Sequence, residues 1–454
     1  MLKKKRKNNK VSVKSPSSAG RSYGADKIRS LEGMLDISPR DTEFWRAIQK
    51  TGEKIAELHH FYLVQTPVVE RAELFESALG KNTQLNSQEL FTFKAGTRTR
   101  MALRPEGVSS VMRSYIQNQL GYFSLPLRAY YHGPMYRKGK KGEQQQFNEW
   151  GFEIIGDGAP VYDAEIVVTL LDFLKSLKIN KPVLKVNTIG CRVCQPGFRK
   201  KLKNFYRYQG GSLCKGCRSL YKGDLMKLLQ CEAKKCIEIA EKAPNILNHL
   251  CQNCNNHFQN ILELIEDNQI SYLPDPYLVG DRDYYSKFVF QIFADQEAEE
   301  PIASGGRQDY LSERIGGRQM PATGGVIHSD VLVEHLKKIS SRHEIGQWQE
   351  KVFFIAIGER ARRASLSLMN RFRNQGVIII ESLGRKTLSS QLKIAKKSEA
   401  ELVLIYGQRE IFEGTVIIRR LGSGIQENVL LEGAVNEVKN RLKKIKKQNS
   451  KLKS

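Results

Sequence analysis

The sequence predicts an α+β core built on an antiparallel sheet, with a cysteine-rich insert, followed by a small α/β domain. Alternating apolar patterns at Ala129–Tyr131 and Phe152–Ile155 flank a glycine-containing loop at Lys138–Gly142, which predicts a hairpin. All eight cysteines lie between residues 185 and 260. From Val352 onwards strand-like and helical segments alternate, which predicts a small, mostly parallel sheet covered by helices.

Composition and charge narrow the classes of partner. The chain has 454 residues, which is long enough for two or three domains with their own cores. Its 73 basic and 48 acidic side chains give a formal net charge of +25, which favours a polyanion such as RNA as the partner. No run approaches the roughly 18 apolar residues of a membrane span, and no apolar run follows the basic start. We therefore expect a soluble, cytoplasmic protein with no membrane partner.

Local signals divide the chain into segments. Ser38-Pro39 predicts the start of the first helix, because serine can cap a helix and proline suits its first turn. The charged runs at both ends are expected to be solvated tails that add non-specific phosphate affinity. The predicted segments are a basic disordered arm (1–25), a first core part (26–184), the cysteine-rich insert (185–260), a second core part (261–337), a polar linker (338–350), an α/β domain (351–438) and a basic tail (439–454).

The eight cysteines form four closely spaced pairs. Three have the CxxC spacing and the last is slightly wider: Cys191/Cys194, Cys214/Cys217, Cys251/Cys254 and Cys231/Cys236. Two such pairs supply the four thiolates of one tetrahedral Zn²⁺ site, so the insert is predicted to hold two structural zinc ions. The alternatives are an iron–sulfur cluster, disulfides, and redox chemistry at the CxxC pairs. The spacing does not determine which two pairs share an ion.

The stretch Leu103–Gly156 carries the most specific motifs. It contains LRPEG at Leu103–Gly107, GPMYR at Gly133–Arg137 and QQFNEWGFEIIG at Gln145–Gly156. In their order and spacing, these segments resemble motif 2 of the class II aminoacyl-tRNA synthetases, in the version found in the histidyl enzymes.

Other segments extend the resemblance over nearly the whole chain. LEGMLDISP (Leu31–Pro39) and QTPVVERAELF (Gln65–Phe75) look like the family's opening segment and its motif 1, whose proline, here Pro67, sits at the dimer interface. LVGDRDYYSKFVFQIF (Leu278–Phe293) and SGGRQDYL (Ser304–Leu311) look like the two histidine-specific signatures.

The insert and the C-terminal segment also look like parts of this family. The insert with NTIGC at Asn187–Cys191 is similar to that of a bacterial subset, and residues 352–437 look like the anticodon-binding domain. The resemblance therefore implies a class II synthetase-like antiparallel-sheet core and a homodimer. It also implies activation of histidine with ATP and Mg²⁺, and transfer of histidine to tRNA(His).

The resemblance assigns roles to individual residues. Glu106 would hold the α-amino group of histidine, while Glu153 and Tyr285 would read its imidazole. Arg137 would grip the ATP α-phosphate and the histidine carboxylate, because the transition state of activation gathers negative charge there. The catalytic residues implied are Arg137 and Arg282, and the histidine-binding residues implied are Glu106, Glu149, Glu153, Tyr284, Tyr285 and Arg307.

The first histidine signature departs from the family pattern. The family has Arg-Gly-Leu before Asp-Tyr-Tyr, and that arginine is catalytic, whereas this chain has Gly280-Asp281-Arg282. Side chains two residues apart on a strand share a face of the sheet. Arg282 is therefore expected to reach the phosphate from a shifted position.

Further departures concentrate at positions that handle ATP. Gln308 stands for a tyrosine, Val331 for the adenine-stacking arginine of motif 3, Gly139 for a glutamate, Glu149 for a glutamine and Val108 for a threonine. Two hypotheses follow: an active histidine–tRNA ligase with an unusual ATP site, or a non-catalytic paralogue that binds histidine or tRNA. The second resembles in its logic the synthetase-like regulatory subunit of ATP phosphoribosyltransferase. A general basic RNA-binding protein would leave the histidine signatures unexplained.

Overall fold

The computed structural model describes most of the chain and divides it into two compact units, Met1–Ile345 and Gly346–Ser454. The predicted arm and most of the predicted linker lie outside the described residues. No helix in the described ranges is long and apolar enough to cross a membrane. The described residues are 28–80, 89–94, 96, 99–139, 142–221, 223–280, 282–340, 351–398 and 400–451.

The first unit combines eleven described strands with ten described helices. The strands are β1 (Tyr62–Leu63), β2 (Val69–Arg71), β3 (Thr92–Lys94), β4 (Arg100–Leu103), β5 (Leu127–Tyr136), β6 (Gln146–Ile155), β7 (Val183–Thr188), β8 (Tyr272–Pro274), β9 (Ser286–Phe293), β10 (Ala303–Arg307) and β11 (Ala322–His328). The helices are α1 (Thr42–Leu58), α2 (Ala72–Leu79), α3 (Val108–Gln117), α4 (Pro160–Ser176), α5 (Cys194–Arg207), α6 (Lys215–Leu220), α7 (Lys234–Ala240), α8 (Gln252–Asp267), α9 (Leu311–Arg314) and α10 (Ser329–Ile339).

An eight-stranded sheet organises this unit, in the order β1-β5-β6-β11-β10-β9-β7-β8. Only the outer pairs β1–β5 and β7–β8 are parallel, and the other pairs are antiparallel. A separate antiparallel sheet has the order β2-β4-β3. The predicted antiparallel core and its β5–β6 hairpin are confirmed, because the alternating pattern of β5 buries every second side chain from Leu127 to Tyr131.

The first helix begins later than predicted. α1 begins at Thr42 after Asp41, rather than at Ser38. The Ser38 hydroxyl accepts a hydrogen bond from the Arg40 backbone N–H at 3.2 Å and donates one to Asp41 Oδ2 at 3.2 Å. The predicted start is wrong because serine stabilises turns through the same local hydrogen bonds with which it caps helices.

The cysteine-rich insert leaves the large sheet after β7 and returns to it through α8 and β8. Its short helices α5, α6 and α7 enclose a small apolar core that includes Phe198, Leu202 and Leu228. A 3₁₀ turn at Leu225–Gln230 follows α6. The same core also includes Leu278 and Val289, so the insert packs against the segment that leads into β9.

The second unit contains a five-stranded sheet in the order β13-β12-β14-β15-β16. Its strands are β12 (Lys351–Ala356), β13 (Ile378–Glu381), β14 (Leu402–Tyr406), β15 (Thr415–Arg420) and β16 (Gln426–Leu430), and its helices are α11 (Glu359–Arg373), α12 (Leu388–Lys397), α13 (Gln408–Glu413) and α14 (Ala434–Lys451). β12 pairs in parallel with β13 and β14, but β15 is antiparallel to β14 and β16. The prediction of a mostly parallel sheet is wrong here, because short connections favour antiparallel pairs.

Helix α14 continues through the predicted basic tail. Leu442 and Ile445 are buried in the core of the second unit, at helical spacing from the buried Val438. Residues 439–445 therefore belong to the folded unit, while lysines such as Lys443 remain exposed between the apolar positions.

Candidate active site

Three glutamates converge on a buried tyrosine in the first unit. Glu106, Glu149 and Glu153 are each at most 2% exposed, and Tyr131 is 1% exposed. Tyr131 on β5 pairs with Gly151 on β6, so Glu149 and Glu153 lie one step away on the same face of the sheet. Burial raises the pKa of Tyr131 well above its ordinary value, and the negative charges of the three glutamates raise it further.

Glycines make the space that this cluster occupies. A Cβ on Gly107 or Gly151 would lie 2.0 or 2.1 Å from the Tyr131 ring. A Cβ on Gly324, which faces Glu153 across the β6–β11 pair, would lie 1.9 Å from Glu153 Oε2. These positions therefore require glycine because of a close approach by a neighbouring side chain.

Three buried polar atoms in the cluster have no hydrogen-bond partner among the described residues. They are the Tyr131 hydroxyl, Glu153 Oε1 and Gln308 Oε1. The Gln308 amide donates to the other carboxylate oxygen of Glu153. Burial raises the pKa of Glu153 well above its ordinary value, Glu106 and Glu149 raise it further, and the hydrogen bond from Gln308 opposes these effects. Unsatisfied buried groups are costly, so their clustering indicates a place for a polar ligand.

Glu106 lies at the start of α3. Its two carboxylate oxygens are 3.2 and 3.1 Å from the backbone N of Ser109, which donates to them in the first turn of the helix. A carboxylate is favoured there by the free N–H groups and the dipole of the helix. This interaction fixes the Glu106 side chain beside the tyrosine.

Arg137 follows the last residue of β5 and is held on three sides. Its Nε donates to the Pro105 carbonyl at 2.8 Å, and its Nη2 lies 3.2 Å from Glu149 Oε1. Its guanidinium carbon lies 4.3 Å from the centre of the Phe147 ring. The side chain remains 27% exposed, so a cation with a fixed direction lies at the edge of the buried glutamate cluster.

The first histidine signature contributes Tyr284 and Tyr285, whose ring centres are 5.1 Å apart. Tyr284 is buried, and Tyr285 is partly buried against the same core. Arg282 precedes β9, which begins at Ser286, so the same-face argument for Arg282 is wrong because these residues form a turn. Gly280 has φ of +74°, and a Cβ there would lie 2.8 Å from Tyr285 Cδ2, so an arginine would not fit at this position.

Arg307 is part of the scaffold. The side chain is fully buried, and it donates to Asp163, Asp309 and the Ala159 carbonyl over 2.7–3.2 Å. His257 Nε2 lies 3.4 Å from Asp163 Oδ2, and burial lowers the pKa of His257 to about 3. These bonds account for four of the five guanidinium N–H groups of Arg307, so most of its hydrogen-bonding capacity serves the protein scaffold, and its predicted contact with histidine stays a prediction.

Several residues of the site were not predicted from the sequence. Asp330 accepts hydrogen bonds from the Asn148 backbone N–H at 2.5 Å and the Gln144 side chain at 3.0 Å, which ties the motif 3 segment to motif 2. Val331, next in α10, packs against the apolar core. The burial of Tyr131 could have been predicted from the sequence, because Tyr131 continues the alternation of buried side chains along β5.

The eight cysteines form two groups of four. In each group the Sγ atoms lie within 4.8 Å of one another, and all eight cysteines carry free thiols. The sulfur–sulfur distances of 3.7, 3.9 and 3.8 Å match the edge of about 3.8 Å that a tetrahedron of Zn–S bonds produces. The outer group is Cys191, Cys194, Cys251 and Cys254, and the inner group is Cys214, Cys217, Cys231 and Cys236.

Backbone donors in these groups favour thiolates. The Cys217 backbone N–H donates to Cys214 Sγ at 3.4 Å. This hydrogen bond lowers the pKa of Cys214 to about 7, and the corresponding bond from Cys254 lowers the pKa of Cys251 to about 7. Burial raises the pKa of Cys217 and Cys254, so the thiols within one group differ in acidity, and a cation that binds all four sulfurs would have to displace protons from the buried ones.

Known proteins match both units of the chain. Residues 33–194 and 211–332 match the family model for histidyl-tRNA synthetase, and residues 351–441 match the model for an anticodon binding domain. The histidine–tRNA ligase of Thermosipho melanesiensis is 33% identical over 88% of this chain and 95% of its own length. The histidine–tRNA ligase of Syntrophotalea carbinolica is 32% identical over 89% of this chain and 97% of its own.

Solved structures show the same fold. The apo histidyl-tRNA synthetase of S. aureus covers 90% of this chain and 99% of that chain, with a TM-score of 0.74 at 24% identity. A Bacillus halodurans protein described as an ATP phosphoribosyltransferase regulatory subunit/histidyl-tRNA synthetase covers 85% and 99%, with a TM-score of 0.61 at 22% identity. Together with the matches to the two family models, these likenesses place the chain in the histidyl-tRNA synthetase family, with a class II core and an anticodon-binding domain.

Proposed function

We propose that this chain is an active histidine–tRNA ligase. It would join the histidine carboxylate to the α-phosphate of ATP, release pyrophosphate, and transfer the histidyl group to tRNA(His). The observation that carries the proposal is the cluster of unpartnered buried atoms on Tyr131, Glu153 and Gln308 beside the fixed cation of Arg137. Such a cluster suits a ligand with ring N–H donors and a carboxylate.

Recognition of histidine would use the buried glutamates. The Glu153 oxygen left without a partner would accept a hydrogen bond from the imidazole, with Tyr285 packed nearby. Glu106 would hold the α-ammonium group, because a carboxylate fixed at the start of α3 provides negative charge in a set place. A site built on paired polar contacts rejects side chains that leave those contacts unpaired.

Activation requires positive charge at the phosphates. Arg137 would contact the histidine carboxylate and the α-phosphate, and thereby align the carboxylate oxygen that forms the new bond to phosphorus. The electron pair of the broken P–O bond leaves with pyrophosphate, whose charge needs cations nearby. Mg²⁺ enters with ATP and adds positive charge there.

Histidine-dependent ATP–pyrophosphate exchange tests the proposed ligase activity directly, because it follows formation and reversal of the adenylate. Gly280 replaces an arginine that contacts the phosphates in the family. Loss of one such contact removes about 2–4 kcal/mol of transition-state stabilisation, so we expect exchange to be roughly 30- to 1,000-fold slower than in ordinary relatives. Arg137→Ala should abolish it, while Arg46→Ala, an exposed arginine on α1, should not.

The alternative is a non-catalytic paralogue that binds histidine or tRNA. Two positions favour it, because each stands where the family pattern has an arginine: Val331, which is partly buried against the apolar core, and Gly280, where the backbone has a positive φ. Absence of exchange, together with calorimetric histidine binding that is lost in Glu153→Ala, would establish this alternative and refute the ligase.

We also propose that both cysteine groups hold structural zinc. The tetrahedral spacing of the sulfurs supports this, and elemental analysis should find about two zinc ions per chain. The double variant Cys214→Ser, Cys217→Ser should bind one zinc ion fewer. Hydrogen exchange of its backbone amides should show that the second unit remains folded. Iron in place of zinc, or no metal after purification without chelators, would contradict the proposal.

Assembly as a cytoplasmic homodimer completes the proposal. Pro67 precedes the small β2-β4-β3 sheet, where Val69 and Phe93 are 40% and 41% exposed. Burial of such apolar side chains stabilises a two-fold interface. Light scattering at micromolar concentration should give twice the chain mass, and a 51.7 kDa species would contradict this.

A further inference from the structure

A short segment joins β7 to the outer cysteine group and lies against the end of the first histidine signature. It runs from Ile189 to Arg192, and Gly190 within it has φ of +67°. The Ile189 backbone N–H donates to the Lys287 carbonyl at 2.7 Å, and the Lys287 backbone N–H donates to the Gly190 carbonyl at 2.8 Å. These two hydrogen bonds extend the pairing of β7 with β9 as far as the first cysteine of the group.

Lys287 forms an irregularity in β9 at the same point. Its φ of +52° is uncommon for a residue other than glycine, and the pairing of β10 with β9 shifts register between Gly306 and Arg307. Lys287 Nζ lies 3.0 Å from Asp309 Oδ2, and the Asp309 backbone N–H donates to Ser286 Oγ at 3.3 Å. The segment that leads to the cysteines therefore supports the part of β9 that holds the second histidine signature.

Arg192 makes a second connection, from the cysteine group to the second signature itself. It lies between Cys191 and Cys194, which both belong to the outer group. Its backbone N–H donates to the Tyr310 hydroxyl at 3.4 Å, and its guanidinium carbon lies 3.9 Å from the centre of the Tyr310 ring. Its Nη1 lies 2.7 Å from Glu313 Oε2 in α9. Arg192 therefore contacts both the end of the second signature and the helix there.

The second signature connects this contact to the histidine pocket. Gln308, two residues before Tyr310, donates from its side-chain amide to Glu153. The Gln308 backbone N–H donates to the Ala322 carbonyl at 2.8 Å, and the Leu311 N–H donates to the Gln308 carbonyl at 3.2 Å. Tyr310 thus lies within the turn that Gln308 begins. A displacement of Tyr310 would therefore move the amide that holds Glu153.

We propose that Arg192 is a positioning residue for histidine recognition, and that it makes the histidine pocket depend on the outer cysteine group. The inference rests on the proposed function, in which Glu153 binds the imidazole. Four thiolates on one ion would fix the positions of Cys191 and Cys194, and with them the backbone of Arg192. Arg192 would then hold Tyr310, and through its turn the side chains that contact histidine.

Calorimetric titration of full-length variants with histidine and, separately, with MgATP tests this contact. Arg192→Ala removes the guanidinium, whereas Arg192→Lys keeps a cation over the ring. Tyr310→Leu removes the ring from the other side of the contact, outside the insert. Arg207→Ala removes an exposed arginine of α5 in the same insert and is the matched control. Zinc content and thermal unfolding show whether each variant remains folded.

We expect Arg192→Ala to weaken histidine binding about 3- to 10-fold, because a cation–π contact and an ion pair are lost, and to leave MgATP affinity within about twofold. Arg192→Lys should restore part of the histidine affinity, and Arg207→Ala should bind like the natural protein. The double variant Arg192→Ala, Tyr310→Leu should bind histidine about as weakly as Tyr310→Leu alone, since both changes break one contact. Unchanged histidine affinity in Arg192→Ala, or an equal loss of MgATP affinity, would overturn the inference and leave the ligase proposal standing.

Thermodynamic linkage predicts a reciprocal effect on the cysteines. If the outer group favours histidine binding, bound histidine must stabilise that group to the same extent. In limited alkylation with iodoacetamide, followed by mass spectrometry, histidine should therefore slow modification of Cys191 and Cys194. It should leave Cys214 and Cys217 unchanged, because their described hydrogen bonds stay within the insert.

The outcomes of the alkylation experiment separate this inference from the ligase proposal. Equal modification of the outer group with and without histidine would overturn the inference, and so would equal slowing of both groups. A natural protein that binds histidine and protects the outer group, but catalyses no ATP–pyrophosphate exchange, would refute the ligase and support the inference. A natural protein that binds no histidine would overturn both.

Discussion

Replacement of Gly324 by alanine tests whether the close approach of Glu153 matters for binding. Gly324 is not in the left-handed region of φ, so alanine is compatible with its backbone. The added Cβ would lie 1.9 Å from Glu153 Oε2 and 2.3 Å from Glu153 Cδ, so the carboxylate must move. Overpacking of this kind costs about 1–3 kcal/mol of folding stability.

The neighbouring glycine provides a matched control. A Cβ on Gly325 would lie 2.7 Å from Leu170 Cδ1 and 2.9 Å from the Phe290 ring, on the opposite, apolar face of the same strand. Gly325→Ala should therefore cost a similar 1–3 kcal/mol, roughly, without moving Glu153. Urea unfolding measures both losses of stability.

Histidine binding should separate the two variants. If Glu153 holds the imidazole, its displacement removes a hydrogen bond to a charged group, about 1.5–3 kcal/mol, which raises Kd about 10- to 150-fold. Calorimetry should show this loss in Gly324→Ala alone. Histidine binding of natural strength in Gly324→Ala would refute the role of Glu153, and an equal loss in Gly325→Ala would show that both act by loosening the fold.

Three further predictions concern charge. Burial raises the pKa of Glu153, so the folded chain holds that proton more tightly than the unfolded chain does, and stability falls as the pH rises from the ordinary value of 4.5 towards the folded pKa. Glu153→Gln should therefore stabilise the protein at pH 7 and not at pH 4 in urea unfolding, and equal effects at both would contradict this. Arg307→Met should cost about 3–5 kcal/mol in the same assay because Asp163 is left buried without its partner, and addition of Asp163→Asn should recover part of the loss. Deletion of residues 1–14 with Lys443→Gln should lower the salt dependence of tRNA binding, by about one unit of log–log slope per lost phosphate contact. The preference for tRNA(His) should remain, and its loss would count against the anticodon-binding role.

The family resemblance pointed to Glu149 and Glu153, and the local periodicity of one hairpin explains why the structure brings them together. Glu149 and Glu153 are four residues apart on β6, so strand geometry places them on one face of the sheet, the face that also carries Tyr131 on the paired strand β5. The number of cysteine groups was also predictable, since eight cysteines in four close pairs make two groups of four. The antiparallel core followed from the same alternation.

Contacts between distant segments were not predictable in this way. Arg307 is separated from Asp163 by 144 positions, so no local pattern distinguishes a buried ion pair from a ligand contact. Arg192 looks like any arginine of a basic insert until the fold brings it to Tyr310. The same-face argument for Arg282 required a strand at this point, but the Tyr285 backbone N–H donates to the Arg282 carbonyl in a turn, and β9 begins only at Ser286.

The nested order of the cysteines has a consequence during synthesis on the ribosome. The inner group is complete once Cys236 has emerged, whereas the outer group must wait for Cys254. If the groups hold zinc as proposed above, the first ion can be captured while the rest of the insert is still being made, and the shorter loop costs less entropy to close. Capture of the second ion then joins the two ends of a segment that is already folded. Zinc shortage during translation would leave chains arrested at the first step, with Cys191 and Cys194 exposed to oxidation.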